Sequence, residues 1–189
     1  MSKLNLRAAL LIAGVALAPP LGAGAAYAAM TKMVGGAAMY PSRNIVENAV
    51  HSKDHTTLVA AVKAAGLVST LEGPGPFTVL APTNAAFAKL PPGTVKTLLQ
   101  PANKDKLTAV LTYHVIPGKL TAEDIAKKID EMGGHYTVNT VEGQPLSFSK
   151  MGNGIAVTDA KGDTAMVTVP DVMQSNGVIH VINAVLLPG

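Results

Sequence analysis

Phe77-Thr78-Val79-Leu80-Ala81-Pro82-Thr83-Asn84-Ala85-Ala86-Phe87-Ala88-Lys89-Leu90 changes period halfway along, and that change decides the fold. The first four residues are apolar or β-favouring and follow the breaker run Gly73-Pro74-Gly75-Pro76, so they predict a buried strand. Pro82 suits the entry to a helix, and either Thr83 or Asn84 can accept backbone N–H bonds of its first turn. Ala86, Phe87 and Leu90 then fall on one helical face before Pro91-Pro92 ends it. The stretch is read as one strand turning sharply into one short amphipathic helix. The chain has no tryptophan and 3 phenylalanines, so Phe77 and Phe87 are expected to supply much of the core volume.

These residues resemble the first homology block of the fasciclin-like (FAS1) domain. A second block of that family is matched by Asn176-Gly177-Val178-Ile179-His180-Val181-Ile182-Asn183-Ala184-Val185-Leu186-Leu187-Pro188, and its intervening Tyr-His pair by Tyr113-His114. The resemblance implies an α+β fold, a wedge-shaped β-sandwich with helices packed on one side and one edge. It covers the chain from about residue 42, so residues 42–189 are assigned to one such domain.

The residues before it divide in two. Lys3 and Arg7 form a positive n-region, Ala8 to Ala18 an apolar h-region too short to span a bilayer, and Ala26-Tyr27-Ala28 a cleavage signal. Residues 1–28 are therefore read as an export signal cut before Ala29, placing the product in the periplasm or outside the cell. Residues 29–41, rich in Gly, Ala and Met without period, read as a flexible leader, although Met33, Met39 and Tyr40 could instead dock on the domain.

Taking 28 residues from 189 leaves 161, enough for one domain with a sizeable core. Of 15 Lys and Arg against 12 Asp and Glu, two basic residues leave with the signal, so the net charge falls from +3 to +1. Scattered, nearly balanced charge gives no support for nucleic-acid binding. The count of cysteines is 0, which excludes disulfides, thiol catalysis and thiolate metal sites, and leaves stability to the apolar core.

Along the domain, helices precede strands. Ser42 or Asn44 caps a helix over Ile45–His51, Asp54 one that carries Leu58, Val59 and Val62 on one face to a stop at Gly66, and Thr94 one over Val95–Leu99. Asn103 or Lys104 starts another, with Leu107, Val110 and Leu111 aligned, that runs into a strand over Tyr113–Ile116. Thr121 and the acids after it open a capping-box helix over Ala122–Ile129. From Gly134 the period becomes two, with strands at Tyr136–Thr140, Leu146–Ser149, Ile155–Thr158, Met166–Val169 and Val178–Ile182, and a closing one at Val185–Leu187. This order reads as α+β in its own right.

Motifs for catalysis are sparse: no phosphate-cradling loop, no nucleophile elbow, no HExxH. His51 and His55 stand at i, i+4, a metal-capable spacing that lacks a third ligand. Asn153, Asp159 and Asp163 do not fit an EF-hand loop and read as solvated turn residues. Two motifs have two readings. The resemblance links the Tyr113-His114 region to receptor adhesion in animal relatives, while their apolar neighbours suit a buried, hydrogen-bonded anchor inside a strand. Pro170-Asp171-Val172-Met173 resembles a Pro-Asp-Ile-Met motif tied to integrin recognition in an animal relative, while Asp171 alone would cap a following helical turn. His180, in an apolar strand, reads as a bonded core histidine, and Asn176-Gly177 as a turn.

The function implied is a non-enzymatic adhesion or interaction domain at a cell surface, in host or community association. It is expected to act as a monomer without cofactor, to bind protein or polysaccharide, and to have no membrane span once the signal is removed. The alternative is a periplasmic carrier of a small apolar ligand, in a pocket between helices and sheet.

Overall fold

A computed structural model describes residues 31–189. The export signal and its cleavage point lie outside the described residues. Seven strands form one sheet in the order β4-β3-β9-β8-β7-β6-β5. They are β3 (Phe77–Pro82), β4 (Val115–Pro117), β5 (His135–Asn139), β6 (Pro145–Met151), β7 (Gly154–Thr158), β8 (Thr164–Gln174) and β9 (Gly177–Ile182). From β5 to β9 the chain meanders antiparallel, whereas β3 joins β9 in parallel, with Phe77 opposite Gly177 and Pro82 opposite Ile182. The two blocks of the sequence are thus neighbouring strands, second and third from the β4 edge of the sheet.

β8 is long enough to serve both halves of the sheet. Its register against β9 slips between Val167 and Val169 and again between Val169 and Val172, which bends the strand and folds the sheet over on itself. The Val141 amide reaches the Val115 carbonyl at 2.8 Å, so the two ends of the sheet nearly meet.

The helices are α1 (Ile45–Ala49), α2 (Thr56–Ala65), α3 (Val68–Leu71), α4 (Asn84–Ala88), α5 (Thr94–Leu98), α6 (Lys104–Tyr113) and α7 (Ala122–Glu131). Asn44 and Glu47 close a capping box on α1, and Thr121 and Asp124 another on α7. Gly66 ends α2 at φ +74°, a left-handed value that favours glycine. The caps read at Asp54 and Thr94 differ in the structure, where Thr94 is the first residue of α5 and follows Gly93. Asp54 lies in a 3₁₀ turn, Lys53–His55, and the start of α2 is capped from elsewhere: Asn84 Oδ1 accepts from the Thr57 amide and the Thr56 hydroxyl. Thr83 caps α4, accepting from the Ala86 amide, so the Thr83-Asn84 pair serves two helices at once. Pro82 is the last residue of β3 rather than the first of the helix.

Alternation along β3 and β9 separates two cores. Val79, Ala81, Ile179 and Val181 face the helical layer with Leu58, Val62, Phe87 and Leu111. Leu80 and Ile182 face the inside of the folded sheet with Tyr113, Ile125, Ile129, Leu146, Phe148 and Val157. Phe77 is only half-buried, and Phe148 is the phenylalanine that is wholly enclosed.

Three expectations need correction. Residues 29–41 are not an unstructured leader where they are described: β1 (Lys32–Val34) and β2 (Ala37–Met39) form a hairpin that buries Val34 and Met39 in the helical core. Tyr113 and His114 are the last residue and the cap of α6, and the strand starts only at Val115. Val185–Leu187 forms no strand, though Leu186 is fully buried.

Candidate functional site

The tyrosine and the two histidines that the motifs single out are buried, in two separate places. Tyr113 and His114 end α6 between the two cores, and both are buried. The Tyr113 hydroxyl donates to the Pro145 carbonyl at 2.8 Å and accepts from the Ala160 amide at 2.9 Å. Burial, opposed by that amide, raises its pKa. His114 Nε2 accepts from the Leu186 amide at 3.1 Å, so Nδ1 carries the proton and donates to the Val110 carbonyl at 2.7 Å. Val110 belongs to the helical core and Leu186 to the inner one, so the imidazole joins the two. Complete enclosure drives its pKa down to about 4, against a smaller upward pull from the Val110 carbonyl.

His180, on β9, repeats the arrangement with other partners. Nδ1 accepts from the Asp171 amide and Nε2 donates to the Leu120 carbonyl at 2.8 Å. Burial lowers its pKa as well. Asp171 sits at the β8 irregularity with φ +53°, a conformation uncommon outside glycine, asparagine and aspartate. No helical turn follows it. Its carboxylate caps α7 instead, accepting from the Ala122 amide at 2.8 Å. Pro170 and Met173 are half-buried beside it, and Val172 is buried. The cap could not be placed from sequence, because Asp171 and Ala122 are brought together only by the sheet.

The second block also closes the fold around the first. The Asn176 side chain accepts from the Ile45 amide and donates to the carbonyls of Leu71 and Gly73. A Cβ at Gly177 would collide with the Phe77 carbonyl, so the parallel contact between β3 and β9 requires glycine there. Thr78 Oγ1 donates to Gly118 and accepts from the Leu120 amide. Asp159, read as a solvated turn residue, is in fact buried: its carboxylate accepts from the amides of Lys161, Asp163 and Leu187.

His51 and His55 do not share a helix. His51 is exposed, and His55 is buried with Nδ1 at 2.8 Å from Ser52 Oγ. His55 Nε2 is buried near the Ala81 backbone without reaching hydrogen-bond geometry, and burial lowers the ring's pKa. Among the described residues no group of three or more metal-ligating side chains gathers.

His55 is part of the wall of a cavity of about 80 Å³ between the helical layer and the sheet. Leu58 and Val62 of α2, Leu71 of α3, Val79 of β3 and Val181 of β9 contribute to the wall, and the surface it offers a guest is apolar. The hairpin closes one side through Val34 and Met39. Lys63, exposed on α2, stands at the rim.

The comparisons with known proteins agree with this geometry. The model of the family described as "Fasciclin domain" matches residues 53–188. Protein sll1483 of Synechocystis sp. is 49% identical over 156 residues, covering 82% of this chain and 79% of that one. The immunogenic protein MPB70 of Mycobacterium bovis is 32% identical over 187 residues, covering 92% of this chain and 88% of that one. Among solved structures, a FAS1 domain pair from the insect cell adhesion molecule fasciclin I superposes with a TM-score of 0.69 at 19% identity over 77% of this chain, which spans about half (51%) of the pair. Among the described residues no helix is long and apolar enough to cross a membrane. A parallel β3–β9 pair built from both homology blocks, pinned by buried Tyr113, His114 and His180 and lying within the residues 53–188 that the family model matches, places this chain in the fasciclin (FAS1) domain family.

Proposed function

We propose that the chain is an exported, non-enzymatic interaction module that binds a protein or a polysaccharide at a cell surface, acting as a monomer. Family membership supports the class of function, since the insect structural relative is described as a cell adhesion molecule. The burial of Tyr113, His114 and His180 supports a scaffolding part for the residues of the homology blocks, with recognition left to surfaces they hold in place. Pro170, Asp171 and Met173 reach the surface in part and belong to such a surface at the β8 irregularity.

The observation that carries this reading is a pair of exposed methionines, Met132 after α7 and Met151 at the end of β6. In the β5–β6 register His135 pairs with Ser149, and Met151 ends β6 two residues beyond. Met132 is 63% and Met151 53% exposed, where water gains nothing from thioether chains. Adaptable, polarizable methionine suits contact with varied partners. On α7, Lys128 lies over the Tyr136 ring at 5.3 Å.

Immobilised protein of residues 29–189 should retain cells or their secreted polysaccharide, and the pair of changes Met132→Glu and Met151→Glu should abolish retention. Their effect on stability should stay within about 0.5 kcal/mol, as for other surface changes. Equal retention by the double variant would overturn the assignment of this pair. Export is tested separately by the mass of the native protein, which should begin at Ala29; a chain that keeps Met1 would overturn it.

A further inference from the structure

We propose that the cavity between the helical layer and the sheet is a binding site for a small carboxylate amphiphile, its apolar chain or ring inside and its acidic group at the rim beside Lys63. This stands apart from the interaction reading: the cavity lies among α2, α3, β3 and β9, away from Met132 and Met151.

The wall defines the inner half of the ligand. A cavity of about 80 Å³ with an apolar surface, in whose wall His55 Nε2 is the unpartnered polar atom, cannot give a water the several partners it needs, and apolar cavities stay dry and accept apolar guests. It holds only a few carbon atoms as it stands. The wall residues Leu58, Val62 and Leu71 each keep 8% exposure, so rotation of their side chains makes room for a slightly longer chain. A charged group could not enter, because an isolated carboxylate loses far more hydration than the wall returns.

The rim defines the outer half. Lys63 is solvent-exposed yet belongs to the lining, as expected of a lysine whose methylene stem lies along an apolar surface while its ammonium stays in water. Among the described residues the ion pairs are Lys127–Glu131 and Lys150–Asp130, and Lys63 enters neither. Its neighbours on α2 offer no acid, since the helix reads Thr-Thr-Leu-Val-Ala-Ala-Val-Lys-Ala-Ala. A cation without a partner at the mouth of an apolar cavity selects an anionic head over a neutral or cationic one.

Methyl NMR of the full chain decides the matter, with hexanoate, 1-hexanol and hexylamine as probes of equal tail. Hexanoate should shift the methyl signals of Val62, Leu71, Val79 and Val181 to saturation. Hexylamine should bind about tenfold more weakly. Lys63→Gln should weaken hexanoate about five- to tenfold and leave 1-hexanol unchanged. Ala49→Leu, which places a larger side chain in the lining, should remove the response to all three; if that variant loses its methyl dispersion, Ala81→Val serves the same purpose. Methyl signals unmoved by hexanoate would overturn the site. Equal affinity for the three probes, or indifference to Lys63→Gln, would overturn the acidic head group.

Discussion

The two cores are built from the same kinds of residue and packed to different standards. Inside the folded sheet, Leu80, Ile116, Ile125, Leu146, Phe148, Val157 and Ile182 are all fully enclosed. Under the helices, Leu58, Val62, Leu71, Phe87 and Val110 each keep 8% of their surface, and a cavity remains among them. A sheet folded around one core closes by hydrogen bonds along every strand, so its interior volume is set by backbone register. Helices of four to ten residues, joined by turns, dock one at a time and leave gaps where their side chains do not interdigitate. The region a ligand can enter is therefore the one the backbone does not close.

The largest effect should come from emptying the tight core. Phe148→Ala should destabilise by about 3–5 kcal/mol, seen as a lower midpoint in chemical denaturation. Phe87→Ala, in the looser core, should fall at the low end of that range, because the short helix α4 can settle into the space. An equal loss at both sites would remove the distinction between the cores.

Next in size is the response to acid of the imidazole that joins them. His114 has a pKa of about 4 in the folded chain and an ordinary value near 6.5 when unfolded. Below pH 6.5 the unfolded chain takes up a proton that the folded chain refuses until about pH 4. Stability is therefore full above that window and falls as pH drops through it, by about 3 kcal/mol from this residue alone. His55 and His180, whose pKa values are lowered too, add to the same fall. His114→Ala should cost about 1–3 kcal/mol at pH 7 by orphaning the Leu186 amide, and should flatten the acid limb. A limb as steep as in the unaltered protein would show that His114 is not the group responsible.

Adding volume separates the cores by sign. Ala165→Leu, at a fully enclosed inner-core position of β8, should destabilise by about 1–3 kcal/mol through overpacking. Ala49→Leu, facing the cavity, should stabilise by about 0.5–2 kcal/mol as cavity-filling changes do. Thermal midpoints that move the same way in both variants would break the comparison. The smallest expected change is Asn84→Ala, which removes the cap on α2 at a cost of about 1 kcal/mol, whereas Thr83→Ala should loosen α4 alone. Hydrogen exchange that rises in α4 but not at the start of α2 in the Asn84 variant would assign the caps the other way.

The sequence by itself determined the elements whose cause is local. The period change at Pro82, the box at Thr121, the stop at Gly66 and the two-residue alternation after Gly134 depend on neighbours within a few residues, and each stands where its pattern puts it to within a residue or two. The class, helices first and a meander after, is the sum of those local readings. Only the tertiary structure decided what distant segments do for one another. Asp171 and Asn84 have the chemistry of caps, and the sequence pointed each to the helix next to it. The fold sends Asp171 to α7, about 49 residues away in the chain, and Asn84 to α2. His114 has apolar neighbours on both sides and reads as part of a strand, yet it ends a helix because its ring is needed between Val110 and Leu186. Asp159 looks like any turn acid until Leu187 comes within reach of it. The cavity has no sequence signature, because an unfilled volume belongs to the fit between α2, α3, β3 and β9 and to none of them singly.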